Sequence, residues 1–160
     1  MQDGSDWGPW PEKRKKRVPV IIKVRYITEM TKLAKIKVGD WIDLYCSEDI
    51  SFEEHEQKLI NLGVAMQLPK NYEANIVARS STLKNFGIIQ ANSFGVVDNS
   101  YCGDNDWWFF NAFAMRETFI PKNSKICQFR INKKQPEFVF EEVESLDNPD
   151  RGGHGTTGLT

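Results

Sequence analysis

The feature that most constrains this chain is a succession of short apolar segments, many alternating with period two, interrupted by turn residues at near-regular intervals. Val18 to Tyr26, Trp41 to Cys46, Lys58 to Leu68, Glu73 to Ala78, Gly95 to Val97, Trp107 to Met115, Lys125 to Ile131 and Glu137 to Val143 read as strands. Gly39-Asp40, Pro69-Lys70-Asn71 and Pro121-Lys122-Asn123 separate them. Strands spaced this closely leave no room for βαβ crossovers, so the reading is an all-β sandwich or barrel. The single helix candidate is Ser80 to Phe86, opened by serines suited to capping and closed by Gly87. Ser51 to Gln57 reads as a further helical turn.

Composition narrows the class. The 160 residues make one domain, and 40% apolar with 12% aromatic residues fill a real core. A formal net charge of -1 argues against a surface that wraps a polyanion, so nucleic acid is not an expected partner. Cys46, Cys102 and Cys127 stand far apart with only His55 and His154 beside them, which does not supply a zinc site. The odd cysteine count fits a reducing, cytoplasmic setting. No apolar run approaches the roughly 18 to 20 residues of a membrane span.

The two ends differ from the middle. Residues 1–18 combine Trp7 and Trp10 with the basic run Lys13-Arg14-Lys15-Lys16-Arg17 and read as a flexible arm. Residues 147–160 are rich in glycine and threonine and read as a second arm, where Arg151 and glycine amides suit an anion. The domain proper is then 19–146.

Four segments between the arms combine chemistry with structure. Gly39 to Leu44 sets Asp43 inside a strand-like stretch. Arg79-Ser80-Ser81 puts a cation and hydroxyls at a helix start, which favours phosphate. Asn92 to Asp104 reads as strand, tight turn, strand, with the Asp98 carboxylate and the Tyr101 ring three residues apart. Ile126 to Phe129 buries alternate positions and leaves Gln128 to face a ligand.

In this order, and with the Arg-Gly-rich end containing Thr156-Thr157-Gly158, the segments resemble the motifs of the trimeric deoxyuridine triphosphatases (dUTPases) from about Ile22 to Thr160. The stretch Gly103 to Phe110 is similar to the bacterial prophage branch. The resemblance implies a jelly-roll (β-clip) barrel with one short helix, assembled as a homotrimer with shared active sites. It implies hydrolysis of dUTP to dUMP and pyrophosphate, which keeps uracil out of DNA and supplies dUMP. Asp98 then matches the base that activates water, and Tyr101 the ring that excludes a 2′-hydroxyl. The hairpin with Asn92, Gly95 and Val97 would read uracil. Arg79, Ser80, Ser81, Gln128, Arg151, Thr156 and Thr157 would bind phosphate. Mg2+ is the implied cofactor, with Asp43 holding a metal-bound water.

The sequence departs from the family at three places. Ala78 stands where a proline precedes the motif arginine, and Lys125 where an arginine is usual. His154 occupies the position of the aromatic lid, so Phe109, Trp108 or His154 itself is expected to cover the base. Two alternatives stand beside this reading. One is a dCTP deaminase-like enzyme, which would need an acid near the base. The other is a phage trimer acting mainly on a regulatory protein partner, for which the N-terminal arm is the candidate surface.

Overall fold

The computed structural model describes residues 18–151. The two tryptophans and the basic run of the N-terminal arm lie outside the described residues, as do His154, Thr156 and Thr157.

Among the described residues eleven strands and one helix follow in chain order. They are β1 (Lys23–Tyr26), β2 (Ile42–Tyr45), β3 (Ile50–Phe52), β4 (Gln57–Asn61), β5 (Val64–Gln67) and β6 (Tyr72–Ala78). After α1 (Thr82–Phe86) come β7 (Ile88–Gln90), β8 (Gly95–Val97), β9 (Phe109–Ala114), β10 (Thr118–Ile120) and β11 (Lys125–Lys133). A four-stranded antiparallel sheet runs β2-β11-β6-β8, and a three-stranded one runs β4-β9-β7. The pairs β1-β5 and β10-β3 complete the barrel.

Period-two burial explains how the sheets face each other. On the larger sheet Ile42, Leu44, Ile76, Cys127 and Phe129 turn inward, while Asp43, Gln128 and Val77 lie side by side in register on the outer face. On the smaller sheet Trp108, just before β9, and then Phe110, Ala112 and Ala114 enter the core, joined by Ile60 and Ile88. One continuous apolar cluster unites both inner faces.

Four local expectations fail for identifiable reasons. Lys58 to Leu68 is two strands, because buried Gly63 with φ +69° breaks the run and sends β4 to β9 but β5 to β1. Ser51 to Gln57 forms no helical turn: β3 pairs β10, and a turn through His55 at φ 65° leads into β4. Glu137 to Val143 is not a strand among the described residues, since it leaves the barrel with Val139 91% and Phe140 93% exposed. Among the described residues its alternation has no strand to pair with. Asn92 to Asp104 holds a single strand, β8, after which the backbone runs through turns.

Candidate active site

A cavity of about 420 Å³ opens beside β8, lined by Asn92, Gly95, Val97, Asp98, Ser100, Tyr101, Trp107 and Phe109 among others. Of the residues expected to handle base, sugar and water, Asn92, Gly95, Val97, Asp98 and Tyr101 all come together here. Strand β8 pairs β6 on one side and is the edge of its sheet. Its other edge therefore offers unpaired backbone N–H and C=O groups, the donor–acceptor pattern with which a base can be read. Gly95 permits this placement, because a Cβ there would stand 3.2 Å from the Ile76 Cβ.

Gln90 is a residue that the sequence reading missed. Its amide donates to the Ile76 carbonyl at 3.0 Å and its carbonyl accepts from the Ala78 N–H at 3.0 Å. It thereby extends the β6–β8 ladder by a side chain and ties the Asn92 turn to the barrel. In that turn Ser93 takes φ 63° and the Phe94 N–H donates to the Asn92 carbonyl at 2.7 Å.

Asp98 follows β8 at the cavity. Its Oδ1 accepts from the Ser100 hydroxyl at 2.6 Å and from the Ser100 N–H at 2.8 Å. The hydroxyl bond, then the backbone bond, holds the carboxyl below its ordinary range, with Lys134 adding a smaller electrostatic pull. Among the described residues no hydrogen bond engages Oδ2. The Tyr101 N–H donates to the Asp98 carbonyl at 3.0 Å, which holds the carboxylate and the ring in one turn.

The aromatic run after this turn splits by face. Trp108 is 1% exposed, packs edge-to-face on Phe129 at 5.2 Å, and buries an indole N–H without a partner among the described residues. It is a core residue and is withdrawn as a lid candidate. Phe109 is 40% exposed and lines the cavity.

A second cluster lies at the far end of β6. Asp43 accepts from Arg79 Nε at 2.9 Å through one oxygen and from Lys125 Nζ at 2.9 Å through the other. Its side chain is only 15% exposed. Hydrogen bonding to Asp43, then its charge, holds the Lys125 ammonium above its ordinary range. Gln128 is half-buried and registers directly with Asp43. The helix start differs from expectation. Ser81 is the N-cap by position, yet its hydroxyl caps nothing, and Thr82 instead accepts from the Arg79 N–H at 2.9 Å and donates to the Ile126 carbonyl at 2.8 Å. With five residues, α1 is too short for a useful macrodipole. The positive charge of this cluster comes from Arg79 and Lys125, which outweigh the single Asp43 carboxylate between them. Arg151 is exposed and is the last described residue.

The two clusters are far apart within one chain. In the β6–β8 register Val97 pairs Ala74, so Asp98 lies level with Glu73, six residues before Arg79. At about 3.3 Å per residue this separates them by roughly 20 Å.

Comparison with known proteins places the chain as a whole. A family model described as dUTPase matches residues 41–158. The SPbeta prophage-derived deoxyuridine 5′-triphosphate nucleotidohydrolase YosS of Bacillus subtilis is 57% identical over 138 residues, covering 86% of this chain and 97% of that protein. A deoxyuridine 5′-triphosphate nucleotidohydrolase of Thermoanaerobacter is 34% identical, covering 74% of this chain and 81% of its own. Among solved structures, the dUTPase of Streptococcus mutans aligns with a TM-score of 0.65 at 18% identity, over 72% of this chain and 98% of that one. A dUTPase of Staphylococcus aureus phage phi11, whose structure details the coordination of a structural Mg(II) ion, aligns at 0.69 and 16% identity, over 80% and 99%. These likenesses show the fold, and the family match together with the 57% identity shows more: the chain belongs to the dUTPase family.

Proposed function

We propose that this chain hydrolyses dUTP to dUMP and pyrophosphate by attack of water on the α-phosphorus, in a homotrimer whose sites are shared between subunits. The observation that carries the reading is the turn holding Asp98 and Tyr101 at the β8 cavity, with the carboxyl held below its ordinary range by Ser100 and, among the described residues, one oxygen without a hydrogen bond. Asp98 orients the water and takes its proton. The free edge of β8 with the Asn92 turn pairs with uracil. Cytosine is rejected because it leaves these groups unpaired, and thymine because its methyl meets the hairpin. The Tyr101 ring covers the deoxyribose where a 2′-hydroxyl would stand. Phe109 closes over the base from the cavity rim.

The roughly 20 Å between Asp98 and Arg79 supports the shared site. Groups that grip the α- and β-phosphates of one molecule must lie within a few ångströms, which one chain does not provide. A second subunit would bring Arg79, Ser80, Ser81, Lys125 and Gln128 to the phosphates. The glycine-rich arm, with Arg151, Thr156 and Thr157, would close from outside. The exposed run of Phe138, Val139, Phe140, Val143 and Leu146 leaves the barrel where a neighbouring subunit can cover it.

Magnesium fits the residues present. The donor it would use is the single Asp43 carboxylate, and Mg2+ favours phosphates, waters and one or two carboxylates. When bound it would neutralise phosphate charge. Asp43 would hold one of its waters through lone pairs that Arg79 and Lys125 leave open.

Pyrophosphate release from dUTP, dCTP, dTTP and UTP, with and without Mg2+, tests the reading. Magnesium-dependent cleavage of dUTP alone, abolished by Asp98→Asn, is expected. A folded trimer that binds dUTP without cleaving it would favour a regulatory role instead. A Staphylococcus bacteriophage 80alpha dUTPase is described in connection with control of virulence-gene transfer, so that role has a precedent among proteins of this fold.

A further inference from the structure

The loop between Tyr101 and Trp108 holds the sugar-facing ring, and its ties run to an unexpected place. The Tyr101 hydroxyl donates to the Trp107 carbonyl at 3.0 Å. Inside the loop the Gly103 N–H donates to Asp106 Oδ2 at 2.7 Å, the Asp106 N–H to the Gly103 carbonyl at 3.1 Å, and the Trp107 N–H to the Asn105 carbonyl at 2.9 Å. These bonds make the loop a unit but leave its middle unattached to the barrel. The attachment comes from Arg25 on β1, a strand that lies before the matched family region. One Arg25 nitrogen donates to the Asp104 carbonyl and, at 3.4 Å, to Asn105 Oδ1. The guanidinium carbon also stands 5.1 Å from the centre of the Trp107 ring. Arg25 does not line the cavity, whereas Tyr101 and Trp107 both do.

We infer that Arg25 is a positioning residue for sugar discrimination: it clamps Asp104, Asn105 and Trp107, and through the Trp107 carbonyl fixes the Tyr101 ring against the deoxyribose. The inference rests on the dUTPase reading of the cavity. Its physical basis is that a single planar cation makes two different contacts at once. It donates to loop oxygens and lies over the indole face, a combination available to guanidinium and only partly to ammonium. Excluding one hydroxyl requires that the ring not retreat, and displacement of order 1 Å is enough to cost catalytic groups their effect. Asp98 is held independently by Ser100, so the water-activating group does not depend on Arg25.

The test is steady-state hydrolysis of dUTP and UTP by the full-length wild type, Arg25→Gln and Arg25→Lys. In Arg25→Gln the ratio of kcat/KM for UTP to that for dUTP rises about tenfold, the KM for dUTP rises, and kcat for dUTP stays within about twofold. Arg25→Lys recovers part of the discrimination, because its ammonium can still sit over Trp107. A general loss of stability would lower activity toward both nucleotides together and would not move the ratio. An unchanged ratio in Arg25→Gln, with wild type active on dUTP, overturns the inference and leaves the activity standing. Wild type inactive on dUTP overturns the activity itself.

Discussion

Ser100 binds one oxygen of Asp98 twice, through its hydroxyl at 2.6 Å and its backbone N–H at 2.8 Å. Both bonds favour the charged form, so the carboxyl loses its proton below the usual carboxylate range. A depressed folded-state pKa means that the stabilising contribution is complete above the unfolded value and disappears as pH falls through the folded one. The acid limb of kcat/KM therefore lies below the range of an ordinary aspartate. Ser100→Ala removes the larger bond, keeps the backbone one, and moves the limb upward toward the ordinary value. A profile from about pH 3 to 7 for both proteins measures this. A limb that stays in place would separate Asp98 from the rate.

Gln90 predicts a coupling between stability and base choice. Gln90→Ala leaves the Ile76 carbonyl and the Ala78 N–H without their partners. The expected cost is about 1–3 kcal/mol, seen as a fall in Tm of roughly 3–10 °C. Because the same side chain anchors the Asn92 turn, hydrolysis of dCTP relative to dUTP should rise. Destabilisation with unaltered dCTP rejection would make Gln90 a structural tie alone.

The split of the aromatic run separates two substitutions that look alike in sequence. Trp108→Ala empties a core position against Phe129 and costs about 3–5 kcal/mol. Phe109→Ala leaves Tm nearly unchanged and raises the KM for dUTP severalfold. Thermal unfolding and kinetics on the pair decide it, and Phe109→Ala with an unaltered KM would remove Phe109 as the lid.

These residues also show where the sequence is readable. In the Trp107 to Met115 run the strand was legible but not its facing: Trp108 and Phe109 both stood as lid candidates, and the fold is what divides Trp108, Phe110 and Ala112 from Phe109, Asn111 and Phe113. Asp98 and Tyr101 were picked out by the resemblance of Gly95 to Gly103 to a family motif, and their spacing of three residues lets one turn bring both to the same cavity. Arg25, Gln90 and the pairing of Asp43 with Lys125 were not. Each joins residues at least 12 apart in the chain, and no local pattern encodes which strand will neighbour which. Glu137 to Val143 misled for the opposite reason: its pattern is strand-like, but among the described residues no strand pairs with it.

Gly63 is a position that the sequence concealed and the fold explains. It is buried at φ +69°, and an added Cβ would meet Met30 Sδ and, at 2.8 Å, Ser47 Cβ. Gly63→Ala combines backbone strain with overpacking, for about 2–4 kcal/mol of destabilisation. Denaturant unfolding measures it, and a loss under about 0.5 kcal/mol would show that the β4–β5 corner relaxes freely.

The separation of Asp98 from Arg79 along β6 makes the last prediction quantitative. Arg79→Ala lacks the phosphate grip and Asp98→Asn lacks the base, and each homotrimer is expected to be inactive. Suppose that each site takes Asp98 from one subunit and Arg79 from its neighbour around a three-fold ring. Random co-assembly of equal amounts then gives each site an intact pair with a probability of one half times one half. Co-expressed or co-refolded variants should therefore recover about one quarter of wild-type dUTP hydrolysis. If both residues served the same site from one chain, no mixture would contain an intact site, and mixing would restore nothing. Titrating the ratio sharpens the contrast: activity peaks at equal amounts and falls symmetrically on either side, a shape that contamination by wild type would not produce.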